Sequence, residues 1–527
     1  MPTSNAYILL KLLRHFCFTT GVPLLLCSTA TAQPASPPNI VYILADDLGY
    51  GDVSAYNEQG RLHTPHIDQL ARQGVRFTDA HTSSAVCTPT RYGILTGRYN
   101  WRSALKSSVL SGFSRALIAP ERLTVAELLQ ENGYHTAFVG KWHLGWDWAF
   151  IDDPGEVDPL SSNPTVDFSK SVKNGPTEQG FTYSYGFSGS LDMPPYVYVE
   201  NGQPTSLPQD STVSVDDKGF WRKGLTGSDF VHAQVLPHLT NQAIRYIKRQ
   251  SSRKKPFFLY FALPAPHTPI LPTDEFMGQS NTNFYGDFVL QVDHVVGQVV
   301  AALEAQGISD NTLLIFTSDN GCSPRANFEE LAQVGHDPSG GYRGHKADIY
   351  EGGHRVPFIV RWPNRAGRGT VTDEVICTTD LMATVAALLG VTLPEDAGED
   401  SFSFLPVLTS EAYSRPLREA TVHHSIGGRF AIRQGNWKLI VWPGSGGWSY
   451  PRTPEDLAGL PAMQLFNLAD DPAEEENLVA AHPQRVAKLR TLLTRYVEQG
   501  RSTPGSPQQN DGPSHWEQLE WMEAKGE

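Results

Sequence analysis

Cysteine is scarce in this chain of 527 residues: it has five, and Cys17 and Cys27 fall within the first 32 positions. The other three are Cys87, Cys322 and Cys377, too few for the disulfide framework that holds small secreted domains together. Cys322 and Cys377 are interpreted either as one disulfide or as two buried thiols. Cys87 differs from both because of the residues that follow it.

Positive charge is also in short supply. The chain has 42 Lys and Arg against 56 Asp and Glu, a formal net charge of −14 at pH 7. Nucleic-acid-binding proteins carry a basic surface, so this balance argues against a nucleic-acid partner. It leaves open a small anionic substrate, which responds to the local field of its pocket.

The first 32 residues have the pattern of an export signal. Lys11 and Arg14 come before an apolar stretch, and Ala30-Thr31-Ala32 is a small-x-small sequence like a signal-peptidase site. Residues 1–32 are therefore predicted to be a cleaved signal peptide, and the mature protein to be secreted or periplasmic. No later apolar run is expected to form a stable membrane span.

Strand and helix patterns alternate through the first four fifths of the chain, which predicts an α/β fold with a largely parallel sheet between helices. The boundaries are placed by composition: a large domain over 33–412, a smaller α+β subdomain over 413–505 and a polar tail over 506–527. The segment 146–229, rich in Pro, Gly, Ser and Asp, is interpreted as loops that form a pocket. The predicted strands are 39–45, 135–139, 256–263, 312–317 and 357–362, and the predicted helices are 65–73, 124–132, 284–305 and 483–498.

Polar residues cluster directly after four of these strands. Carboxyl ends of parallel strands gather at one edge of a sheet, where ligands bind, so the clusters are predicted to converge. Lys141 and His143, two apart on a segment predicted to be extended, are expected to point the same way. The residues of the four clusters are Asp46 and Asp47, Lys141 and His143, His267, and Asp319 and Asn320.

Four of these residues offer only oxygen atoms as ligands: Asp46, Asp47, Asp319 and Asn320. Such a set suits a hard cation, Ca²⁺ or Mg²⁺. An Asp pair after a strand can instead cap a turn or a helix. An acidic and an amide residue, Asp319 and Asn320, also follow the strand predicted at 312–317, and this recurrence favours the metal-site interpretation.

The segment Cys87-Thr88-Pro89-Thr90-Arg91 carries the most specific pattern. Pro89 suits the first turn of a helix, and Arg91, four residues after Cys87, shares its helical face. A packed structural cysteine followed by a solvated arginine is the alternative interpretation.

"CTPTRYGILTGRY" at Cys87–Tyr99 resembles the signature of the type I sulfatases, whose C-x-P-x-R core directs oxidation of the cysteine to formylglycine. "GYHTAFVGKWHLG" at Gly133–Gly145, "ILADDLGYGD", "APHTP", "FTSDNG" and the region around Lys346 are also similar to that family. The resemblance runs from Asn39 to Leu408. It implies an alkaline-phosphatase-like fold, a large mostly parallel sheet with a smaller C-terminal α+β subdomain.

The resemblance also implies roles for individual residues, and none of the family positions is replaced. Arg91 would hold the oxidised side chain at position 87. Calcium is favoured, one per chain, with magnesium possible. The implied metal ligands are Asp46, Asp47, Asp319, Asn320 and the oxidised Cys87, and the remaining active-site residues are Lys141, His143, His267 and Lys346.

The implied reaction is hydrolysis of a sulfate ester, whose charge Lys141, Lys346 and the metal would neutralise. The hydrated formylglycine attacks sulfur through one hydroxyl, which the metal acidifies. His267 is expected to protonate the leaving alcohol. His143 is expected to take the proton of the second hydroxyl, so that the aldehyde re-forms and sulfate leaves.

The predicted partners are a sulfated saccharide, such as a galactose-type 6-O-sulfate, and the maturation enzyme that generates formylglycine. A phosphohydrolase of the same superfold is one alternative. Another is a non-catalytic secreted protein that binds sulfated glycans. Its stacking residues would be Trp146, Trp148, Tyr183, Tyr185 and Tyr196.

Overall fold

The computed structural model describes residues 37–523 except 153–154, 156–163, 215, 217–218 and 254. The predicted signal peptide at 1–32 lies outside the described residues. The described strands, numbered in chain order, are β1 Asn39–Asp46, β2 Val75–Phe77, β3 Ala80–His81, β4 His135–Lys141, β5 Tyr183–Phe187, β6 Val199–Glu200, β7 Gln203–Pro204, β8 Asp210–Thr212, β9 Gly224–Thr226, β10 Phe257–Pro266, β11 Thr312–Ser318, β12 Phe358–Arg361, β13 Thr370–Thr372, β14 Ile376–Cys377, β15 Thr421–His424, β16 Phe430–Gln434, β17 Trp437–Ile440 and β18 Gln464–Asn467.

Helices cover both faces of the central sheet, and several begin where the sequence supplies a cap. Asn283 accepts a hydrogen bond from the Gly286 backbone N–H at the start of α5. The described helices are α1 Pro65–Gln73, α2 Cys87–Thr96, α3 Val125–Glu131, α4 Val235–Ser251, α5 Phe284–Ala305, α6 Phe328–Gln333, α7 Glu351–His354, α8 Leu381–Leu389, α9 Leu405–Thr409, α10 Pro454–Leu457, α11 Pro483–Glu498 and α12 Glu520–Glu523.

The central sheet has ten strands in the order β13-β2-β12-β11-β1-β10-β4-β5-β6-β7. The strands β11, β1, β10, β4 and β5 pair in parallel. The strands β12 and β6 run against the rest of the sheet. The prediction of a mostly parallel α/β sheet is confirmed, although the strand predicted at 357–362 is antiparallel to its neighbours.

The centre of the sheet is buried on both faces, as its continuous apolar runs predict. Every residue of β1 and β10 is buried. One apolar cluster packs α4 and α5 on one face, and a second packs α2, α3 and α8 on the other. The packing on both faces therefore fixes the position of these strands. The residues that directly follow β1, β4, β10 and β11 lie together at the carboxyl edge of the sheet.

A second sheet, β15-β16-β17-β18, is antiparallel and packs against α11. This matches the α+β character expected of the C-terminal part, while the domain boundaries stay predictions. Within the segment predicted as a polar tail, Trp516, Leu519 and Trp521 are buried in the core of this second sheet.

The segment predicted as pocket-forming loops contains the five short strands β5 to β9. Trp146, Trp148, Tyr185 and Tyr196 are buried in it, and Tyr183 stacks on Tyr246. The aromatic side chains proposed for sugar stacking therefore pack inside the protein instead: Tyr185 and Tyr196 join one of the two apolar clusters beside the central sheet, and Trp146 and Trp148 join the other.

In the part of the chain that the structure describes, α5 is the one helix whose length and apolar composition would allow it to cross a membrane. Of its most apolar window, 61% is buried inside the protein. It contributes Val289, Val292 and Val296 to the core beside the sheet.

Candidate active site

Cys87 lies at the first residue of α2, where its side chain is 2% exposed. Two threonines fix the start of this helix. The Thr88 hydroxyl donates to the His143 carbonyl oxygen at 2.9 Å, and the Thr90 hydroxyl donates to the Ser84 carbonyl oxygen at 2.9 Å. The motif thus orients the helix that presents Cys87 as well as supplying the cysteine.

Carboxylates from two strands meet beneath Cys87. Asp46 ends β1, and Asp47 follows with a left-handed backbone, φ 67°. The Asp47 N–H donates to Asp319 Oδ1 at 3.2 Å, and the Asn320 amide donates to Asp47 Oδ1 at 2.7 Å. Aspartate tolerates this backbone region better than most residues, and the turn places the Asp47 carboxylate beside Asp319 and Asn320.

Three cations surround these acids. Lys141 Nζ is 2.6 Å from Asp46 Oδ2, and Lys346 Nζ is 2.7 Å from the Asp47 carboxylate. The Arg91 guanidinium donates to Asp319 Oδ2 through Nη2 at 2.8 Å and through Nε at 3.0 Å. Its third bond, at 2.7 Å, goes to the Lys141 carbonyl oxygen.

The carboxylates affect one another's protonation. Burial and the nearby Asp46 carboxylate raise the pKa of Asp319 to about 7, against the opposing effect of Arg91. Burial also opposes ionisation of Asp46, but Lys141 and His267 outweigh it and hold the Asp46 pKa well below its ordinary value. A further cation would favour the ionised form of Asp319.

The hydrogen bonds of the two histidines fix their tautomers. His143 Nε2–H donates to the Leu110 carbonyl oxygen at 2.7 Å, and the buried Nδ1 has no hydrogen-bond partner among the described residues. His267 Nδ1–H donates to the Thr268 carbonyl oxygen at 2.5 Å, and its Nε2 is 3.7 Å from Asp47 Oδ2. Each ring therefore keeps one nitrogen for chemistry.

Burial lowers the pKa of both imidazoles. Lys141 and Arg91 add to this effect at His143, and Lys346 does so at His267. His143 has a left-handed backbone, φ 55°, so the extended segment predicted from Lys141 to His143 is wrong: β4 ends at Lys141. The turn brings the His143 side chain to the cavity wall behind Cys87.

A divalent cation fits this donor set. Asp46 Oδ1 and Asn320 Oδ1 are buried oxygens without a hydrogen-bond partner in the described part of the chain. Ligand atoms of Asp46, Asp47 and His267 lie within 4.8 Å of one another. Unpaired buried oxygens cost free energy unless a cation or proton satisfies them.

The cavity above Cys87 has a volume of about 580 Å³. Asp192 and Arg222, which form an ion pair on its wall, were missed by the sequence analysis. They lie in the loop-rich insertion, and no strand end or motif marked them. The principal charged or reactive side chains that line the cavity are Cys87, His143, Asp192, Arg222, His267 and Lys346.

The predicted site residues therefore converge at one edge of the sheet, with oxygen donors below Cys87 and cations around them. This arrangement, on an α/β sheet with a second small sheet, defines a hydrolase for an anionic ester.

Comparison with protein families matches residues 38–391 to the family described as Sulfatase. Residues 344–502 match that described as N-sulphoglucosamine sulphohydrolase, C-terminal. The chain belongs to the sulfatase family, whose members generally use formylglycine and a divalent metal, and it is a sulfuric ester hydrolase.

Relatives support this assignment over nearly the whole chain. An N-acetylgalactosamine-6-O-sulfatase of Bacteroides thetaiotaomicron is 35% identical over 88% of this chain and 93% of its own. Human arylsulfatase A is 33% identical over 90% of each. A solved structure from work on glycosaminoglycan metabolism by Bacteroides thetaiotaomicron has a TM-score of 0.76 and 34% identity, covering 87% of this chain and 99% of its own.

The comparisons confirm the predicted family, fold class and ester hydrolysis. The roles predicted for individual residues stay predictions. Cys322 and Cys377 are both buried and free, so the disulfide alternative is wrong.

Proposed function

We propose that this protein removes a 6-O-sulfate from a galactose-type residue of a glycan, with Cys87 converted to formylglycine. The observation that carries the proposal is the position of Cys87 between a cavity of saccharide size and a buried cluster of carboxylates and cations. The relative named for N-acetylgalactosamine-6-O-sulfate supports the choice of sugar.

The cavity suits a sugar sulfate in size and charge. Its volume of about 580 Å³ lies within the roughly 300–1,000 Å³ typical of small-molecule sites. Lys346 lines it, and Lys346 and Lys141 pair with Asp47 and Asp46. A cation bound to these carboxylates would therefore supply the local positive charge that an anionic sulfate group meets despite the acidic composition. The Asp192 carboxylate on the wall can accept hydrogen bonds from sugar hydroxyls.

Formylglycine at position 87 would supply an oxygen nucleophile, and a calcium ion would neutralise charge on the sulfate oxygens. The residues that would hold this ion are Asp46, Asp47, Asp319, Asn320 and the oxidised side chain at position 87. Arg91 would position that site through its two bonds to Asp319. Magnesium would fit the same oxygen donors.

The histidines would move protons. His143 presents its unpartnered Nδ1 as an acceptor, because Nε2–H is committed to Leu110. His267 donates Nδ1–H to Thr268, so Nε2 is the atom that would pass a proton to the leaving alcohol. Lys346 would stabilise negative charge beside His267.

The same proposal includes two partners outside the active site. One is a maturation enzyme that oxidises Cys87, and the other is the machinery that exports the chain to a secreted or periplasmic location. The signal-like pattern at 1–32 supports export.

The proposal is tested with paired substrates. Purified protein is assayed on nitrophenyl sulfate and nitrophenyl phosphate, then on a panel of monosaccharides and disaccharides sulfated at single defined positions. We expect sulfate release to exceed phosphate release and to be fastest from 6-sulfated N-acetylgalactosamine or galactose. Preferential phosphate release, or no release from any 6-sulfated sugar, would overturn it.

A further inference from the structure

An exposed tryptophan lines the mouth of the active-site cavity. Trp448 is 40% exposed, whereas Trp101, Trp142 and Trp146 are fully buried. Trp448 lines the same cavity as Cys87 and His267. Its indole makes no stacking or cation–π contact with any side chain that the structure describes. Its position in the wall of this cavity, together with its exposed apolar surface, makes Trp448 available to a bound ligand.

Backbone hydrogen bonds hold the Trp448 loop close to the reacting centre. The N–H groups of Trp448 and Ser449 both donate to Asp348 Oδ1, at 2.8 and 3.0 Å. The Ile349 N–H donates to the Ser445 carbonyl oxygen at 2.9 Å. Asp348 is two residues beyond Lys346, which pairs with Asp47. The backbone at Trp448 therefore has a fixed position relative to Lys346 and Asp47.

The glycine before the tryptophan makes this close approach possible. A Cβ at Gly447 would lie 2.4 Å from the Ala347 carbonyl oxygen, so a larger residue would push the loop away. The indole is thus carried on a preformed backbone, so a ligand that covers it would not have to order the loop.

We infer that Trp448 is the stacking platform for a second sugar, the pyranose ring joined to the sulfated residue. This rests on the proposed function and extends it to the size of the substrate. A sulfate group needs only the floor of the cavity at Cys87, and the cavity continues from there to the indole. A pyranose has an apolar C–H face that matches an indole face, while its hydroxyls stay in water. The enzyme then prefers an oligosaccharide to a free sulfated monosaccharide.

The test compares Trp448→Ala and Trp448→Phe on two substrates, a 6-sulfated monosaccharide and an oligosaccharide that carries the same residue at its end. Stacking of this kind is worth about 1 kcal/mol, so we expect Trp448→Ala to raise KM for the oligosaccharide roughly 5-fold. The KM for the monosaccharide should change less than about two-fold, and Trp448→Phe should be intermediate.

Tyr450 provides the matched control. It lies in the same loop, is 71% exposed and does not line the cavity, so Tyr450→Ala should leave both KM values unchanged. Equal loss on both substrates after Trp448→Ala, or loss on neither, would overturn the inference.

A binding readout separates this inference from the proposed function. Calorimetry with Cys87→Ala protein measures binding of both saccharides without turnover. Adding Trp448→Ala should weaken oligosaccharide binding by the same factor and leave the monosaccharide unaffected. If no sulfated saccharide is hydrolysed yet the oligosaccharide binds through Trp448, the proposed function fails and the platform stands. If hydrolysis occurs but Trp448→Ala does not weaken binding of the oligosaccharide, the inference about Trp448 is wrong and the proposed function is unaffected.

Discussion

Replacing Arg91 by Met should destabilise the protein far more than replacing an arginine on its surface. The Arg91 side chain is fully buried and makes three hydrogen bonds, two to Asp319 Oδ2 and one to the Lys141 carbonyl oxygen. Met is similar in length but carries neither charge nor donors. The substitution therefore leaves the buried Asp319 carboxyl without its closest cation, so that it either stays ionised at a cost in free energy or takes up a proton.

The size of the effect follows from these contacts. Removing one partner of a buried ion pair costs about 3–5 kcal/mol when the charge left behind stays ionised. This range is the upper bound here, because Asp319, with a pKa of about 7, can take up a proton. Arg91→Lys keeps the charge, but a single ammonium group cannot reproduce the planar fork. The Arg91→Lys variant should therefore lose at least one charge-assisted hydrogen bond, which would lower its free energy of unfolding by about 1.5–3 kcal/mol.

Free energies of unfolding from urea titration at pH 7 provide the measurement. The control is Arg495→Met, which removes an ion pair with Glu419 in which both side chains are about half exposed. An exposed pair contributes about 0–1 kcal/mol. If Arg91→Met cost no more than this control, the reasoning about the buried Arg91–Asp319 pair would be refuted.

Three further predictions concern the histidines, the metal and acid stability. His267→Ala should lower kcat/KM on a sugar sulfate far more than on nitrophenyl sulfate, because nitrophenol leaves without protonation. His143→Ala should slow hydrolysis of both substrates. Equal losses on the two substrates for His267→Ala would count against its role as the general acid. Asp319→Asn should lower both bound calcium, measured by metal analysis, and activity, and full activity in metal-free protein would contradict the assignment. Burial opposes ionisation of Asp79, but Arg433 and other cations hold its pKa well below the ordinary value. The ionised carboxylate therefore stabilises the protein above about pH 4, and this contribution is lost as the pH falls. The difference in free energy of unfolding between wild type and Asp79→Asn should narrow below that pH. A difference of constant size from pH 7 to pH 3 would contradict this prediction.

The helices were predictable where local sequence determines them. The bounds of α1, α5 and α11 are those predicted, because apolar residues recur at helical spacing and each start has a local signal. Pro65 and Pro483 stand in the first turn of their helices, and Asn283 caps α5. Such signals act within a few residues and need no tertiary structure.

The convergence of polar residues was also predictable, because it follows from strand order. Asp46 and Asp319 end adjacent parallel strands, so their proximity needs only the βαβ rule. The direction of β12 was not predictable, since it depends on which distant strand it pairs with.

The residues of the cavity wall were not predictable either, because long-range contacts place them. Asp192, Arg222 and Trp448 lie on loops whose position is set by long-range packing, and their local sequence carries no period or cap. Trp146 and Tyr196, which the alternative of a glycan-binding protein assigned to sugar stacking, are buried by long-range packing in the apolar clusters beside the central sheet.

The state of residue 87 is the most direct test of the whole account. Burial raises the pKa of the Cys87 thiol, so the unmodified side chain is a poor nucleophile at neutral pH. Protein from a host with the maturation enzyme is digested, and the peptide containing residue 87 is analysed by mass spectrometry alongside a hydrazide-labelled sample. The account predicts an aldehyde at position 87, with sulfatase activity proportional to its occupancy. Full activity from protein that contains only the thiol would contradict it.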